Sequence, residues 1–120
     1  MNKLSFKKLN EINTQRCETS FHKLNDWSPT DWGCAVGGEC GEALNKIKKL
    51  RRLEGPTNQE LVKQIQTVNR EELINSIGEE LADIVIYTDL LASRLGLSLE
   101  NCIINKFNQD SKKIDSNFTL

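Results

Sequence analysis

Apolar residues return every three or four positions along most of the chain, and strict alternation is absent, so the pattern is helical rather than strand-like. Leu4, Leu9, Ile12, Cys17, Phe21 and Leu24 predict a first helix from about residue 3 to about residue 25. Trp32, Ala35, Val36, Ala43, Leu44, Ile47 and Leu50 mark a second, ending near Leu53. Leu61, Val62, Ile65 and Val68 fit a short helix. Leu73, Ile77, Leu81, Ile84, Val85, Thr88, Leu91 and Leu95 form a long stripe, and Leu99, Cys102, Ile103 and Phe107 a last one. The boundaries carry their own signals. Ser28 is an N-cap, with Pro29 in the first helical position and Asp31 at N3. Lys48, Lys49, Arg51 and Arg52 suit the negative end of that helix before Gly55-Pro56 stops it. Thr57 to Glu60 has the form of a capping box, Asn69 caps the long helix, Gly96 ends it, and Ser98 caps the last. The fold class is all-α, with a helical domain over 1–113 and a less regular tail over 114–120.

Composition narrows the function classes. The 120 residues fill one domain. Lys and Arg total 16 against 17 Asp and Glu, a net charge of -1, so a nucleic-acid partner is not expected. The longest apolar run, Ile84 to Ile86 and then Tyr87, is too short to span a bilayer, and no membrane partner is expected. The first residues lack the apolar segment of a secretion signal. Cys17, Cys34, Cys40 and Cys102 form no C-x-x-C pair and read as small buried residues in a reducing compartment, with a cytoplasmic location as the expectation.

The chemistry lies in two acid pairs. Glu39 and Glu42, and again Glu80 and Asp83, are three residues apart, so each pair projects its oxygens from one helix face. With a helix break near residues 67–70, each pair sits roughly 15–17 Å from the end of a helical hairpin, and antiparallel packing brings the pairs face to face. Four facing carboxylates require protons or cations. An oxygen-only cluster suits Mg²⁺, with Mn²⁺ as a substitute, and such ions grip phosphates. Gly37, Gly38 and Gly41 beside the first pair point to close approach of another backbone or a ligand.

The segments Glu39-Cys40-Gly41-Glu42-Ala43-Leu44 and Glu79-Glu80-Leu81-Ala82-Asp83-Ile84-Val85-Ile86-Tyr87 resemble the MazG-like all-α nucleoside triphosphate pyrophosphohydrolases, specifically the short single-domain members. That group carries E-E-x-x-E followed, after an interval, by E-x-x-D. Gly38 departs from the pattern, standing where the first acid usually stands. The resemblance implies a helical bundle of four to five helices per chain, completed by oligomerisation, with a homotetramer favoured over a dimer. It implies Glu39, Glu42, Glu80 and Asp83 as Mg²⁺ ligands and catalytic residues, with Glu79 beside them or on the water. The implied reaction is NTP or dNTP + H₂O → NMP or dNMP + pyrophosphate, clearing non-standard or surplus deoxynucleotides. dCTP and dATP are the first substrates to try.

Further residues suit a nucleotide. His22, Trp27 and Trp32 offer flat groups for a base, as do Asn25 and Asp26 for hydrogen bonding, and Tyr87 lies one turn beyond Asp83. By resemblance Lys106 and Asn108 hold phosphates. The basic cluster of Lys46, Lys48, Lys49, Arg51 and Arg52 reads as a solvated helix face. A di-iron bundle is a poor alternative, because it needs two Glu-x-x-His motifs and the chain has one histidine. The alternative of another class is a non-catalytic helical interaction or regulatory module on the same fold.

Overall fold

Side-chain caps start each helix of the computed structural model, which describes residues 3–54 and 69–120. Ser5 Oγ accepts the Lys8 N–H at 3.1 Å and opens α1 (Phe6–Arg16). Ser28 Oγ accepts the Asp31 N–H at 3.1 Å while the Asp31 carboxylate accepts the Ser28 N–H at 2.9 Å, a reciprocal box that opens α2 (Pro29–Glu54). Asn69 Oδ1 accepts the Glu71 N–H at 2.9 Å at the start of α3 (Arg70–Arg94). Ser98 Oγ accepts the Asn101 N–H at 3.3 Å at the start of α4 (Leu99–Lys113). α3 ends in a Schellman turn: Gly96 has φ +72°, its N–H donates to Ser93 O at 3.0 Å, and the Leu97 N–H donates to Ala92 O at 2.8 Å. No strand occurs among the described residues, so the fold is all-α as expected. The expected helix over 57–68 and the Gly55-Pro56 stop lie outside the described residues.

The first helix is shorter than its periodicity implies. α1 stops at Arg16, a π-helical turn follows over Cys17–Phe21, His22 is extended, and a 3₁₀ turn covers Leu24–Asp26. Local side-chain bonds take over from the helical ladder there. Thr19 Oγ1 donates to Gln15 O at 2.8 Å, the Glu18 carboxylate accepts the Leu24 N–H at 2.8 Å, and Cys17 Sγ donates to His22 O at 3.2 Å.

The chain forms two compact units. One comprises Met1–Trp32 and Thr88–Leu120. It buries Cys17, Trp32, Leu90 and Ala92 together with Asn13, Asp89 and Ser111. Asp89, only 1% exposed, accepts from Asn10 Nδ2 at 3.1 Å and Asn13 Nδ2 at 3.0 Å, which ties α1 to α3. Asn10 Nδ2 also reaches Ser93 Oγ at 2.6 Å. The tail after α4 returns to that helix, where Asn108 Oδ1 accepts the Leu120 N–H at 2.8 Å and Asn108 Nδ2 donates to Leu120 O at 3.2 Å.

The other unit is Gly33–Tyr87. Ala43, Leu73 and Ile77 are its buried apolar residues. On α2 the covered stripe runs Val36, Glu39, Cys40, Ala43, Lys46, Leu50 and Leu53, at helical spacing. On α3 it runs Leu73, Ile77, Glu80 and Ile84. Three ionisable residues thus occupy an otherwise apolar seam. Leu44, Ile47, Leu81 and Val85 share the helical periodicity yet are exposed, on a second apolar face of the same helices. The cysteine reading also needs correction. All four are free, but only Cys17 is buried, while Cys34 and Cys102 are exposed and Cys40 is half-buried. No described backbone closes on the glycines, since a Cβ at Gly37, Gly38 or Gly41 meets nothing within 4 Å among the described residues.

Candidate metal centre

Helix spacing builds the site within the second unit. Glu39, Glu42 and Lys46 fall at i, i+3 and i+7 along α2, and Glu80 and Asp83 at i and i+3 along α3. The order of contacts is that of antiparallel helices: Glu39 reaches Glu80 and Asp83, and the later Lys46 reaches Glu80. One carboxylate oxygen from each of Glu39, Glu80 and Asp83 lies within 4.8 Å of the others. Glu42 stands beside the cluster, its negative charge acting on Glu39. Glu39 of the first pair therefore meets Glu80 and Asp83 of the second.

Burial sharpens the electrostatics. Glu80 is buried and Glu39 half-buried. Burial raises the Glu39 carboxyl above its ordinary value, and the negative charges of Glu42, Asp83 and Glu80 raise it further. Glu80 moves the other way. The hydrogen bond from Lys46 holds it low despite burial, with Nζ 2.5 Å from Oε1. The same bond raises the Lys46 ammonium, against the opposing effect of its own burial. One oxygen on each of two acids is left over: Glu39 Oε2 and Glu80 Oε2 are buried without a hydrogen-bond partner. Orphaned carboxylate oxygens converging from two helices are what a bound cation satisfies. The donor set is oxygen only, so the residues fit Mg²⁺ or Mn²⁺ rather than a softer metal.

The remaining candidates divide between the units. Tyr87, half-buried, belongs with the acids, and Glu79 stands beside them but exposed, its charge acting on Lys46. His22, Trp27 and Trp32 belong to the first unit and cluster there, with ring centroids 4.4 Å apart for His22–Trp27 and 4.6 Å for Trp27–Trp32. Phe21 packs edge-on against Trp27 at 5.8 Å. Trp32 corrects its expected role as a base-stacking face. It is 0% exposed and its indole N–H donates to Leu24 O at 3.0 Å, so it anchors the cluster from inside. His22 keeps a polar edge. Nδ1 lies 2.9 Å from Lys23 O, a bond in which the carbonyl accepts, and Nε2 is buried with no hydrogen-bond partner. Asp26 accepts the Lys23 N–H. Lys106 pairs with Asp110 at 2.8 Å, and Asn108 spends its amide on Leu120, so both expected phosphate contacts are engaged locally.

Lys46 is the residue the charge pattern hid. It reads as one of five basic residues on a solvated face, yet it is half-buried against Glu80. The available signal was its position, four residues after Glu42 and seven after Glu39, on the acid face. Asp89 was also missed, since an acid inside an apolar run gives no warning that two asparagines will receive it.

A sequence model of the MazG-like family matches residues 46–119. That span contains Glu80, Asp83, Tyr87, Lys106 and Asn108, whereas Glu39 and Glu42 precede it and enter the site on geometry. No curated protein and no solved structure matches the chain. Among the described residues no helix is long and apolar enough to cross a membrane. With the match extending over more than half its length and an all-α fold, the chain belongs to the MazG-like family.

Proposed function

We propose that this chain is a Mg²⁺-dependent nucleoside triphosphate pyrophosphohydrolase, releasing pyrophosphate and a nucleoside monophosphate. One observation carries the reading. Carboxylate oxygens of Glu39, Glu80 and Asp83 converge within 4.8 Å, and two buried oxygens of the group have no partner. Family membership supports nucleotide pyrophosphohydrolysis as the class of reaction. Glu39, Glu42, Glu80 and Asp83 are the residues to hold the ion. When bound, Mg²⁺ supplies charge neutralisation for the triphosphate and acidifies water. Glu39, with its raised carboxyl, is the acid of the group best disposed to hold a proton. Tyr87, one turn beyond Asp83, is the residue proposed for the sugar. Trp27 and His22 are the residues proposed for the base, on side-chain chemistry alone, as flat groups that stack it.

The proposed substrates are dNTPs, and the proposed role is clearing surplus or non-standard ones in the cytoplasm, where four free cysteines are at home. We propose a homo-oligomer, with a tetramer favoured. Its support is the second apolar face of α2 and α3, where Leu44 is 64% and Leu81 50% exposed. The test is pyrophosphate release from a panel of NTPs and dNTPs with Mg²⁺, beside a Glu42→Ala control. Pyrophosphate with monophosphate, abolished in the variant, supports the enzyme and ranks the bases. A folded protein releasing none from any nucleotide overturns it in favour of the non-catalytic module.

A further inference from the structure

Lys46 sits in the seam where an exposed charge would be expected to turn outward. Its α2 neighbours on that stripe are Ala43 and Leu50, and its ammonium lies 2.5 Å from Glu80 Oε1. The Lys46 side chain is 28% exposed and that of Glu80 11%. A single ammonium cannot serve the whole cluster. It meets one oxygen of one acid, and Glu39 Oε2 and Glu80 Oε2 remain orphaned.

A divalent ion on the same oxygen conflicts with this pair. A Mg²⁺ ion binds carboxylate oxygen at about 2.1 Å. On Glu80 Oε1 it would lie no more than about 4.6 Å from Nζ were the lysine to stay. At that range, on a buried carboxylate, the two positive charges repel each other far more than they would in water. Lysine can leave without moving the backbone, because its charge rides on a flexible four-carbon stem. We propose that Lys46 is the site's built-in counter-cation: its ammonium holds Glu80 Oε1 when no metal is bound, and a divalent ion that draws on both oxygens of Glu80 displaces it on loading. The inference rests on the metal-binding reading above and adds a competitor to it.

Competition has a definite sign. A site whose binding-competent form is only a fraction of the population binds more weakly by that fraction. If docking of Lys46 on Glu80 is favoured about tenfold, its removal tightens metal binding about tenfold. A residue that merely shaped the site would weaken binding when removed.

The experiment is Mn²⁺ binding to the full chain, read as loss of free-ion EPR signal, without substrate. Lys46→Met is expected to bind Mn²⁺ about tenfold more tightly than wild type. Lys46→Arg, which keeps a cation, should bind no more tightly than wild type. Lys48→Met, which removes the same charge from an exposed position of the same helix, should leave affinity unchanged. Equal or weaker binding by Lys46→Met, with Mn²⁺ binding intact in wild type, overturns the role of Lys46 and leaves the metal site standing. No binding by wild type or variant overturns the metal reading itself. Should the variant fail to fold, wild type alone decides. Amine-selective labelling followed by mass spectrometry should show Lys46 gaining reactivity on Mn²⁺ addition while Lys48 stays constant. Unchanged or falling reactivity at Lys46 overturns the proposal.

Discussion

Replacing Glu39 with glutamine is expected to stabilise the metal-free protein, the opposite of what removing a polar contact normally does. Its carboxylate has an oxygen within 4.8 Å of donor oxygens on Glu80 and Asp83. Two unit charges at that separation repel by about 0.9 kcal/mol in bulk water and by about 3.5 kcal/mol at an effective dielectric constant of about 20. Lys46 offsets part of the charge on Glu80, so the gain is expected at about 1–3 kcal/mol near neutral pH and low salt. The pH dependence has a fixed sign. Glu39 titrates above its ordinary value of 4.5, through burial first and then its acidic neighbours. The folded protein therefore binds that proton more tightly than the unfolded chain, and ionisation opposes folding. The penalty is absent below 4.5, grows as pH rises toward the elevated value, and is constant beyond it. Glu80 behaves oppositely, because Lys46 lowers it. Its contribution is present above 4.5 and is lost as pH falls through the lowered value. That trend has the same sign in both proteins, so their difference reports Glu39 together with its effect on Glu80. Mg²⁺ should reverse the order. An ion present at one hundred times its dissociation constant stabilises the folded state by about 2.7 kcal/mol, and the glutamine variant loses most of that gain. The assay is urea unfolding followed by tryptophan fluorescence, at one protein concentration, from pH 4 to 8, in EDTA and in Mg²⁺. A variant no more stable than wild type in EDTA and equally responsive to Mg²⁺ refutes the reasoning, leaving Glu39 an ordinary solvated acid.

Three further changes test the frame that holds the site. Asp89→Ala strips the acceptor from Asn10 and Asn13 in the interior and should destabilise by about 2–4 kcal/mol in urea unfolding. Gly38→Ala should stabilise by about 0.5–1 kcal/mol, because helix propensity improves and the added Cβ meets nothing within 4 Å; Mn²⁺ affinity should not change. Gly96→Ala should cost about 1 kcal/mol despite equally open space, because the Schellman turn holds φ at +72°. Thermal or urea denaturation reads all three.

Most helix boundaries were legible because caps are local chemistry. Ser28 with Asp31, Asn69, Gly96 and Ser98 each act within a few residues of themselves, and each does in the structure what its type implies. The end of α1 was not legible, because apolar periodicity continues to Leu24 while the Thr19, Glu18 and Cys17 side chains divert the backbone. The acid pairs were readable from i, i+3 spacing and helix length, both set by helix geometry alone. Which apolar face turns inward was not: Leu44 and Leu81 carry the same periodicity as Ala43 and Ile77, and the choice falls to the face that also holds Glu39, Lys46 and Glu80. Trp32 looked like a ligand platform because sequence cannot tell an aromatic anchor from an aromatic face; the bond to Leu24 O decides it.

The central claim is that the carboxylates gathered by α2 and α3 serve hydrolysis at the α-phosphorus of a nucleoside triphosphate. It is tested most directly by running the reaction with Mg²⁺ in ¹⁸O-labelled water, using a nucleotide that turns over, and weighing the products by mass spectrometry. The account predicts one labelled oxygen in the nucleoside monophosphate and none in pyrophosphate. Label in pyrophosphate, release of orthophosphate in its place, or a rate of label incorporation unchanged by Asp83→Asn would contradict it.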